Sequence, residues 1–229
     1  MKNLTVIVPV YNEEVFLEES LQRLLALEKD FPILIVDDCS SDNSPNIANQ
    51  YAKKYERITF IKKDRNGGKG SALKEAFKYV STDFSVIHDA DLEYFPSDIN
   101  EMMNSAIKKP DYLVIGSRFI GEKSRKNIYK RTYIANKIMS QFFSLIFFKK
   151  ITDIATCYKL MPSKFFIETN LKENGFSIEI EIVAKFLKHS KSLIEVPIMY
   201  DGRSYDEGKK IKFSDGIFYI INTLKYRYF

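Results

Sequence analysis

The segment LTVIVPVYNEEVFLEESLQRLLALEKDFPILIVDD, residues 4–38, decides the fold class. It begins with LTVIVPV, a run rich in β-branched residues that is typical of a buried strand. The next stretch has helical periodicity, with one apolar face formed by Phe16, Leu17, Leu21, Leu24 and Leu25. A second apolar run, FPILIVDD, follows. A strand, a helix and another strand of these lengths indicate two parallel strands joined through a helix.

The same alternation continues as far as residue 117. Helix and strand patterns take turns in the segments SPNIANQYAKKY, RITFIKK, GKGSALKEAFKYV, DFSVIHD, SDINEMMNSAIKK and DYLVIGS. Strands that alternate with helices of this length favour a parallel sheet, because each helix returns the chain to the same end of the sheet. We therefore predict an α/β fold with a mostly parallel central sheet and helices on both of its faces.

Composition limits the number of domains and the classes of partner. A chain of 229 residues with 45% hydrophobic residues suits one domain, residues 1–229, with a sizeable core. The formal net charge of +5 is mildly basic and is compatible with a phosphate-rich ligand or an anionic membrane. No nucleic-acid partner is predicted. Cysteine and histidine are too rare for a disulfide framework or a zinc cluster. We interpret the four such residues as structural: Cys39, Cys157, His88 and His189.

The sequence does not indicate a signal peptide or a membrane-spanning helix. The N-terminal apolar run stops at Pro9 and is followed by acidic residues rather than a cleavage site. The runs FFSLIFF and GIFYII are far shorter than the ~18–20 apolar residues that a spanning helix needs. We expect a cytoplasmic protein with reduced thiols, attached to a membrane peripherally or through another chain.

Polar residues follow several of the predicted strands at the point where each strand ends. The segments are PVYNE, VDDCSSD, HDADLE and GSRF. Because ligands of parallel α/β sheets bind beyond the carboxyl ends of the strands, these segments predict a binding site at one edge of the sheet.

The segment SVIHDADLEY, residues 85–94, places three acids on alternate positions: Asp89, Asp91 and Glu93. On an extended backbone, residues two apart point the same way and are about 7 Å apart at ~3.3 Å per residue. Mg²⁺ and Mn²⁺ prefer oxygen ligands and are commonly held by one or two carboxylates together with phosphate oxygens. The pattern favours a metal–nucleotide site, and the alternative is a solvated turn after a strand.

The glycine-rich segment RNGGKGSAL is compatible with a phosphate or sugar ligand but matches neither common nucleotide motif. Its spacing differs from G-x-x-x-x-G-K-[ST], and no G-x-G-x-x-G opens the first helix. The glycines allow close backbone approach, so Lys69 could meet a donor phosphate or sugar. The alternative is a tight turn that caps a helix.

The composition changes after Ser117, because residues 118–150 contain many lysines and arginines and a single acid, Glu122. The segment NIYKRTYIANKIMSQFFSLIFFKK has helical periodicity, with an apolar stripe of Ile128, Ile134, Ile138, Phe142, Leu145 and Ile146. It is either a core helix or an amphipathic helix at a membrane interface, which favours this mixture of basic and aromatic residues. The C-terminal segment KIKFSDGIFYIINTLKYRYF has the same character and predicts C-terminal amphipathic helices.

The motifs TVIVPVYNEE, LIVDDCSSDNS, NGGKGSALKEAF and DADLEY, in this order, resemble the inverting family 2 glycosyltransferases of GT-A (Rossmann-like) fold. The segments GSRF, TDIATCYKL and VPIMYDGRSYDEGKKIKFSDGI extend the resemblance to the polyprenyl-phosphate hexosyltransferase branch, which is dolichyl-phosphate mannose synthase-like. The resemblance implies metal-dependent transfer of a hexose from GDP-mannose or a UDP-hexose to a polyprenyl phosphate at the cytoplasmic membrane face. The alternative is the same chemistry on a sugar hydroxyl in polysaccharide or lipid-linked glycan synthesis.

The resemblance also implies roles for residues of the nucleotide-sugar half, residues 1–117. The nucleoside pocket would be lined by Pro9, Tyr11 and Glu13, and Asp38 would bond the base. Asp89 would lie near the ribose and the metal, Asp91 would be the main ligand of Mg²⁺ or Mn²⁺, and Glu93 would assist. Two departures from the family pattern are Glu93, where glutamine is common, and Cys39, where glycine is common.

In the acceptor-binding half, residues 118–229, the resemblance places Arg118 and Arg131 at the acceptor phosphate. Arg203 would close over the donor diphosphate, and Lys210 lies on the same loop and is predicted to bind the acceptor side. A lipid phosphate is already anionic and needs no general base, whereas a sugar hydroxyl needs one. The candidates for a base are Asp153, which we rank first, Glu179 and Glu181. A nucleotidyltransferase and a binding module without turnover are the alternatives from other functional classes.

Overall fold

The structure, a computed structural model, describes residues 3–127, 129–190, 192–203 and 213–229, with side chains in the last range described from 216 onward. The strands are β1 (Leu4–Val10), β2 (Ile33–Asp37), β3 (Ile58–Lys62), β4 (Phe84–Ile87), β5 (Leu113–Ser117), β6 (Arg125–Lys126), β7 (Lys159–Pro162), β8 (Leu193–Pro197) and β9 (Tyr200–Asp201). The helices are α1 (Leu17–Leu25), α2 (Ser44–Lys54), α3 (Lys69–Ala76), α4 (Ser97–Lys108), α5 (Lys130–Phe147), α6 (Ser163–Glu168), α7 (Ile178–His189) and α8 (Phe213–Tyr228). The predicted strands and helices of residues 4–117 are all confirmed, with boundaries shifted by a few residues.

The central sheet has the strand order β3-β2-β1-β4-β7-β5-β8. Strands β1 to β4 are mutually parallel, in a register that places Val8 beside Ile35 and Ile7 beside Ile87. β7 runs antiparallel to both of its neighbours, β4 and β5, and β8 is parallel to β5. The predicted mostly parallel sheet is therefore confirmed. The division at residue 117 remains a prediction about ligand binding, since β7, from the second half, lies between two strands of the first.

Both faces of the sheet are covered by helices, because alternate residues of each buried strand point to opposite sides. Val6 and Val8 of β1 pack into a core with α1, α2 and α4. Ile7, between them, packs into a second core with α3, α5, α6, α7 and α8. The α/β fold predicted from strand and helix periodicity is confirmed on both faces.

Helices α5 and α8 pack against each other and leave much of their apolar surface exposed. In α5 the core contacts are made by Phe143 and Phe147, whereas three members of the predicted stripe are exposed: Ile134, Ile138 and Leu145. In α8 the buried residues are Tyr219, Asn222, Thr223 and Tyr226, whereas the exposed residues include Ile217, Phe218, Ile220, Ile221 and Leu224. Helix α8 thus turns much of its polar side inward. Among the described helices, none combines the length and hydropathy of a membrane span.

Candidate active site

Acids from two strand ends and one arginine from the second half meet at the carboxyl edge of the sheet. The guanidinium of Arg203 contacts Glu13, which follows β1, at 3.2 Å and Asp91, which follows β4, at 3.1 Å. The backbone N–H of Arg203 donates to Glu93 at 2.8 Å. Sequence reasoning placed Arg203 over the donor and these acids beneath it, and the structure brings the four side chains together.

The turn after β4 determines where the three alternate acids point. Leu92 has a φ of 63°, in the left-handed region, so the backbone is not extended between Asp91 and Glu93. Glu93 accepts the Tyr200 hydroxyl proton at 2.7 Å, in addition to the Arg203 N–H. Asp89 instead contacts Lys69 at 2.8 Å. The strand ends at Ile87, before the first acid, so the chain does bend where the sequence reasoning required a bend for the acids to converge, and their shared metal role stays a prediction.

Two cations contact the acids of this edge in the described part of the chain. Glu13, Asp89, Asp91 and Glu93 are accompanied by Lys69 and Arg203. Burial, followed by the charges of Glu93 and Asp89, raises the pKa of Asp91 to about 7, although Arg203 opposes the shift.

Asp89 and Asp91 fit the usual carboxylate share of a Mg²⁺ or Mn²⁺ site, which is one or two ligands completed by phosphate and water. Within the described parts of the chain, no group of three acid, histidine or cysteine side chains is arranged to hold a metal by itself. The metal roles of Asp89 and Asp91 stay predictions. Glu93, which bonds Tyr200 and Arg203, is not gathered with them into such a group, and its metal role stays a prediction.

Asp38 organises the glycine-rich loop. It is almost fully buried at the end of β2, and its carboxylate accepts the backbone N–H groups of Gly67, at 3.0 Å, and Gly68, at 2.5 Å. Lys63 also donates to it. Gly68 has a φ of 89°, and a Cβ there would lie 2.7 Å from the carbonyl oxygen of Asn174, so the turn requires glycine. The predicted bond from Asp38 to the base stays a prediction, because this carboxylate is already occupied by the loop.

The other predicted nucleoside residues lie near the same edge. Pro9 is in β1, beside Val36 of β2, and Tyr11 follows β1 with its side chain exposed. Asp37, the last residue of β2, is fully buried and accepts the backbone N–H of Ser40 at 3.0 Å. The ends of β1 and β2 therefore lie where one side of the predicted nucleoside pocket would be, and the Tyr11 side chain beside them is exposed to solvent.

Arg118 and Asp153 form a buried pair at the end of β5. Asp153 accepts from Arg118 Nε at 2.7 Å, from Nη2 at 2.8 Å and from the backbone N–H at 3.0 Å. Glu195 of β8 accepts hydrogen bonds from the backbone N–H groups of Thr152 and Asp153, and these bonds hold the segment that carries Asp153. A small cavity beside this pair is lined by Arg118, Phe119, Asn127, Tyr129, Thr132, Asn136 and Tyr200.

Two predicted acceptor residues are not brought to this cavity by the described contacts. Arg131 is exposed on the first turn of α5 and is absent from the lining, although its neighbour Thr132 is part of it. Lys210 lies outside the described residues. Their acceptor roles stay predictions.

None of the three candidate bases presents an exposed carboxylate. Asp153 is fully buried and directed at Arg118. Glu181 is also fully buried, and it accepts the backbone N–H groups of Lys172 and Glu173. Glu179 lies between Lys69 and Lys159. In this structure these groups hold other residues in place, and a role as base stays untested for each.

Sequence reasoning missed the aromatic and cationic residues that support the site. Tyr200 contacts Glu93, and its ring lies 5.0 Å from the Arg118 guanidinium. Lys63 bonds Asp38, and Lys159, fully buried in β7, bonds Glu179. Lys159 gave one available signal, because a lysine inside the apolar stretch CYKLMP must have a buried partner.

His88 has the structural role predicted for it. It is buried, its Nδ1 lies 2.9 Å from the Tyr158 hydroxyl, and burial lowers its pKa to about 4. The imidazole is therefore mainly neutral at physiological pH.

The fold agrees with what is found among known proteins. A dolichol-phosphate mannosyltransferase from Pyrococcus furiosus is 31% identical over 210 residues, which are 90% of this chain and 58% of that protein. An undecaprenyl-phosphate 4-deoxy-4-formamido-L-arabinose transferase from Photorhabdus laumondii is 28% identical over 91% of this chain and 63% of its own length. The chain thus spans about three fifths of these curated relatives.

Among solved structures, glucosyl-3-phosphoglycerate synthase from Mycobacterium tuberculosis, in complex with Mn²⁺, UDP and glucosyl-3-phosphoglycerate, matches with a TM-score of 0.76. The match covers 99% of this chain and 80% of that one at 14% identity, so it supports the GT-A fold. The family model described as glycosyl transferase family 2 matches residues 5–169. The chain therefore belongs to glycosyltransferase family 2.

Proposed function

We propose that this chain is a metal-dependent, inverting hexosyltransferase that moves a sugar from a nucleotide sugar, GDP-mannose or a UDP-hexose, to a polyprenyl phosphate at the cytoplasmic face of a membrane. The observation that carries the proposal is the meeting of Arg203 with Glu13, Asp91 and Glu93 at the carboxyl edge of the sheet. Both curated relatives are named for transfer to a dolichol or undecaprenyl phosphate, which supports the acceptor class.

The donor would bind across the ends of β1, β2 and β4. Tyr11 has an exposed ring that suits a nucleobase, with Pro9, Glu13 and Asp38 as the neighbouring wall. Lys69 and Arg203 are the cations beside the acidic cluster, and a diphosphate would give both an anionic partner.

Asp89 and Asp91 would hold Mg²⁺ or Mn²⁺, and Glu93 is the third residue predicted at the ion. When bound, the ion stabilises negative charge on the departing diphosphate as a Lewis acid. Arg203 supplies a second positive charge beside Asp91. Because its backbone N–H is fixed by Glu93, the guanidinium is held close to where that charge develops.

The acceptor phosphate would bind at the cavity beside Arg118. The bidentate contact with Asp153 fixes the guanidinium plane, so Arg118 is oriented before the ligand arrives. Arg131 and Lys210 are further candidates for this side. An anionic phosphate attacks without losing a proton, and the candidate bases are buried and occupied, which favours a phosphate over a sugar hydroxyl. Attack in one displacement inverts the configuration at the anomeric carbon.

Exposed apolar residues of α5 and α8 support peripheral attachment to a membrane. Ile217, Phe218 and Ile221 of α8 are each about half exposed, as are Ile134 and Ile138 of α5. Basic residues accompany them, including Lys130, Arg131, Lys225 and Arg227. Apolar residues with neighbouring lysines and arginines suit the interface of an anionic bilayer, where a lipid-linked acceptor is found.

A transfer assay tests the proposal. The protein is incubated with MnCl₂, undecaprenyl phosphate and a radiolabelled donor, in turn GDP-mannose, UDP-glucose and UDP-N-acetylglucosamine. We expect one donor to give a labelled lipid whose sugar is released by mild acid. An acid-stable product would indicate a hydroxyl acceptor, and release of pyrophosphate would indicate a nucleotidyltransferase. Unchanged transfer in an Asp91→Asn variant would contradict the metal role.

A further inference from the structure

Four alternating charges form a buried row behind the donor edge. Lys159 of β7 contacts Glu179 at 2.5 Å, and Glu179 contacts Lys69 at 2.8 Å. Lys69, the first residue of α3, contacts Asp89 at 2.8 Å. The row is sealed at one end, where the Lys159 side chain is 0% exposed, and opens at the other, where Asp89 is 23% exposed.

Glu179 and Lys159 are each held by more than one partner. The carboxylate of Glu179 lies between two ammonium groups, and Lys159 also donates to the backbone carbonyls of Ile154 and Thr156. A buried lysine without such partners would cost several kcal/mol. The Lys159–Glu179 contact therefore fixes the carboxylate that faces Lys69.

Among the described residues, Lys69 has two acidic partners, Asp89 at the donor edge and Glu179 behind it. Both contacts are 2.8 Å, and the lysine side chain is 9% exposed. If Asp89 turns to a divalent cation, Lys69 keeps Glu179 as a counter-ion and is not left buried and unpaired.

We propose that Glu179 and Lys159 are positioning residues that let Asp89 exchange Lys69 for a divalent cation when the donor binds. This proposal rests on the proposed function and names two residues outside the donor contacts. Without Glu179, Lys69 depends on Asp89 alone, so the aspartate is held more strongly against the metal. Groups that orient a metal ligand change metal affinity by about 10- to 100-fold when they are removed.

Mn²⁺ binding gives a readout that is independent of turnover. Free Mn²⁺ is measured by electron paramagnetic resonance during titration of the full chain, in the presence of UDP and, separately, of GDP. We expect Glu179→Gln to weaken Mn²⁺ binding at least tenfold, in the range found for such groups. Binding of the same nucleotide without metal, measured by calorimetry, is expected to change less than threefold, because among the described residues Glu179 contacts the donor edge through Lys69.

Glu181→Gln is the matched control, since Glu181 is on the same helix turn, is equally buried, and contacts the backbone of Lys172 and Glu173 and the side chain of Lys185. We expect its Mn²⁺ affinity to match the wild type even where its melting temperature falls. Equal Mn²⁺ affinity in Glu179→Gln and Glu181→Gln would overturn the proposal.

A second variant keeps the test decisive if Glu179→Gln does not fold. The double change Lys159→Met with Glu179→Leu removes a buried pair together, which proteins usually tolerate. It should lose Mn²⁺ affinity as Glu179→Gln does, and wild-type affinity would overturn the proposal. A wild-type chain that binds neither Mn²⁺ nor nucleotide would instead remove the proposed function, so the two failures are distinguishable.

Discussion

The donor edge and the surface of α5 and α8 depart from ordinary burial in opposite ways. At the donor edge, charged side chains such as Asp38, Glu179 and Lys159 are buried. On α8, isoleucine and phenylalanine are exposed, and Asn222 and Thr223 are buried. Charge is expensive to bury and apolar area is expensive to expose. The buried charges are balanced by partners within the chain, whereas the exposed apolar side chains of α8 form the surface that we propose meets lipid.

The largest effect is expected from the donor edge. Asp91→Asn removes one of the two proposed metal carboxylates and the partner of Arg203, and we expect the rate of transfer to fall on the order of 10³-fold or more. Asp83→Asn is the control, because Asp83 precedes the same strand at its opposite end and bonds the backbone of Asn3. The radiolabel assay measures both. Equal loss in the two variants would mean that the edge has no special role.

Stability should respond most to the buried pair at the end of β5. Asp153→Asn leaves the buried Arg118 without its counter-ion, and breaking such a pair typically costs about 3–5 kcal/mol. Urea unfolding measures the change. Asp98→Asn provides the comparison, since its partner Lys123 is partly exposed and is also paired with Glu101. If Asp153→Asn loses no more unfolding free energy than Asp98→Asn, the proposal that Asp153 holds Arg118 in a fixed orientation is contradicted.

Much of this site could be predicted from the sequence, and the remainder depended on contacts between distant segments. Strand ends follow from periodicity, which is why Glu13, Asp89 and Asp91 were expected at one edge. The turn at Leu92, which redirects Glu93 to Tyr200, is set by a single left-handed residue that no local pattern announces. The position of β7 between β4 and β5 follows from long-range pairing, so the partner of Glu179 could not be anticipated from the sequence.

The acidic cluster should also make stability depend on pH when no metal is added. The folded-state pKa of Asp91, about 7, lies above the ordinary value of 3.8, so between these values the unfolded chain binds fewer protons than the folded one. Stability therefore falls as pH rises from about 4 to 7, by roughly 3 kcal/mol. Urea unfolding at pH 5 and pH 8 measures the difference. Asp91→Asn should reduce this difference, and an unchanged slope would show that another group causes it.

The smallest effect is expected at the proposed lipid surface of α5 and α8, where each residue contributes only modestly to membrane affinity. Ile221 of α8 is 52% exposed, and Ile107 of α4, on the other face of the sheet, is 48% exposed. Ile221→Ser should weaken binding to vesicles that contain anionic lipid by about tenfold, because roughly 1.5 kcal/mol of apolar burial is lost. Ile107→Ser should leave vesicle binding unchanged, since α4 is not part of the proposed lipid surface. Co-sedimentation measures both variants. Because the two residues are equally exposed, equal losses would mean that α8 has no special contact with lipid, and its exposed side would then require another partner.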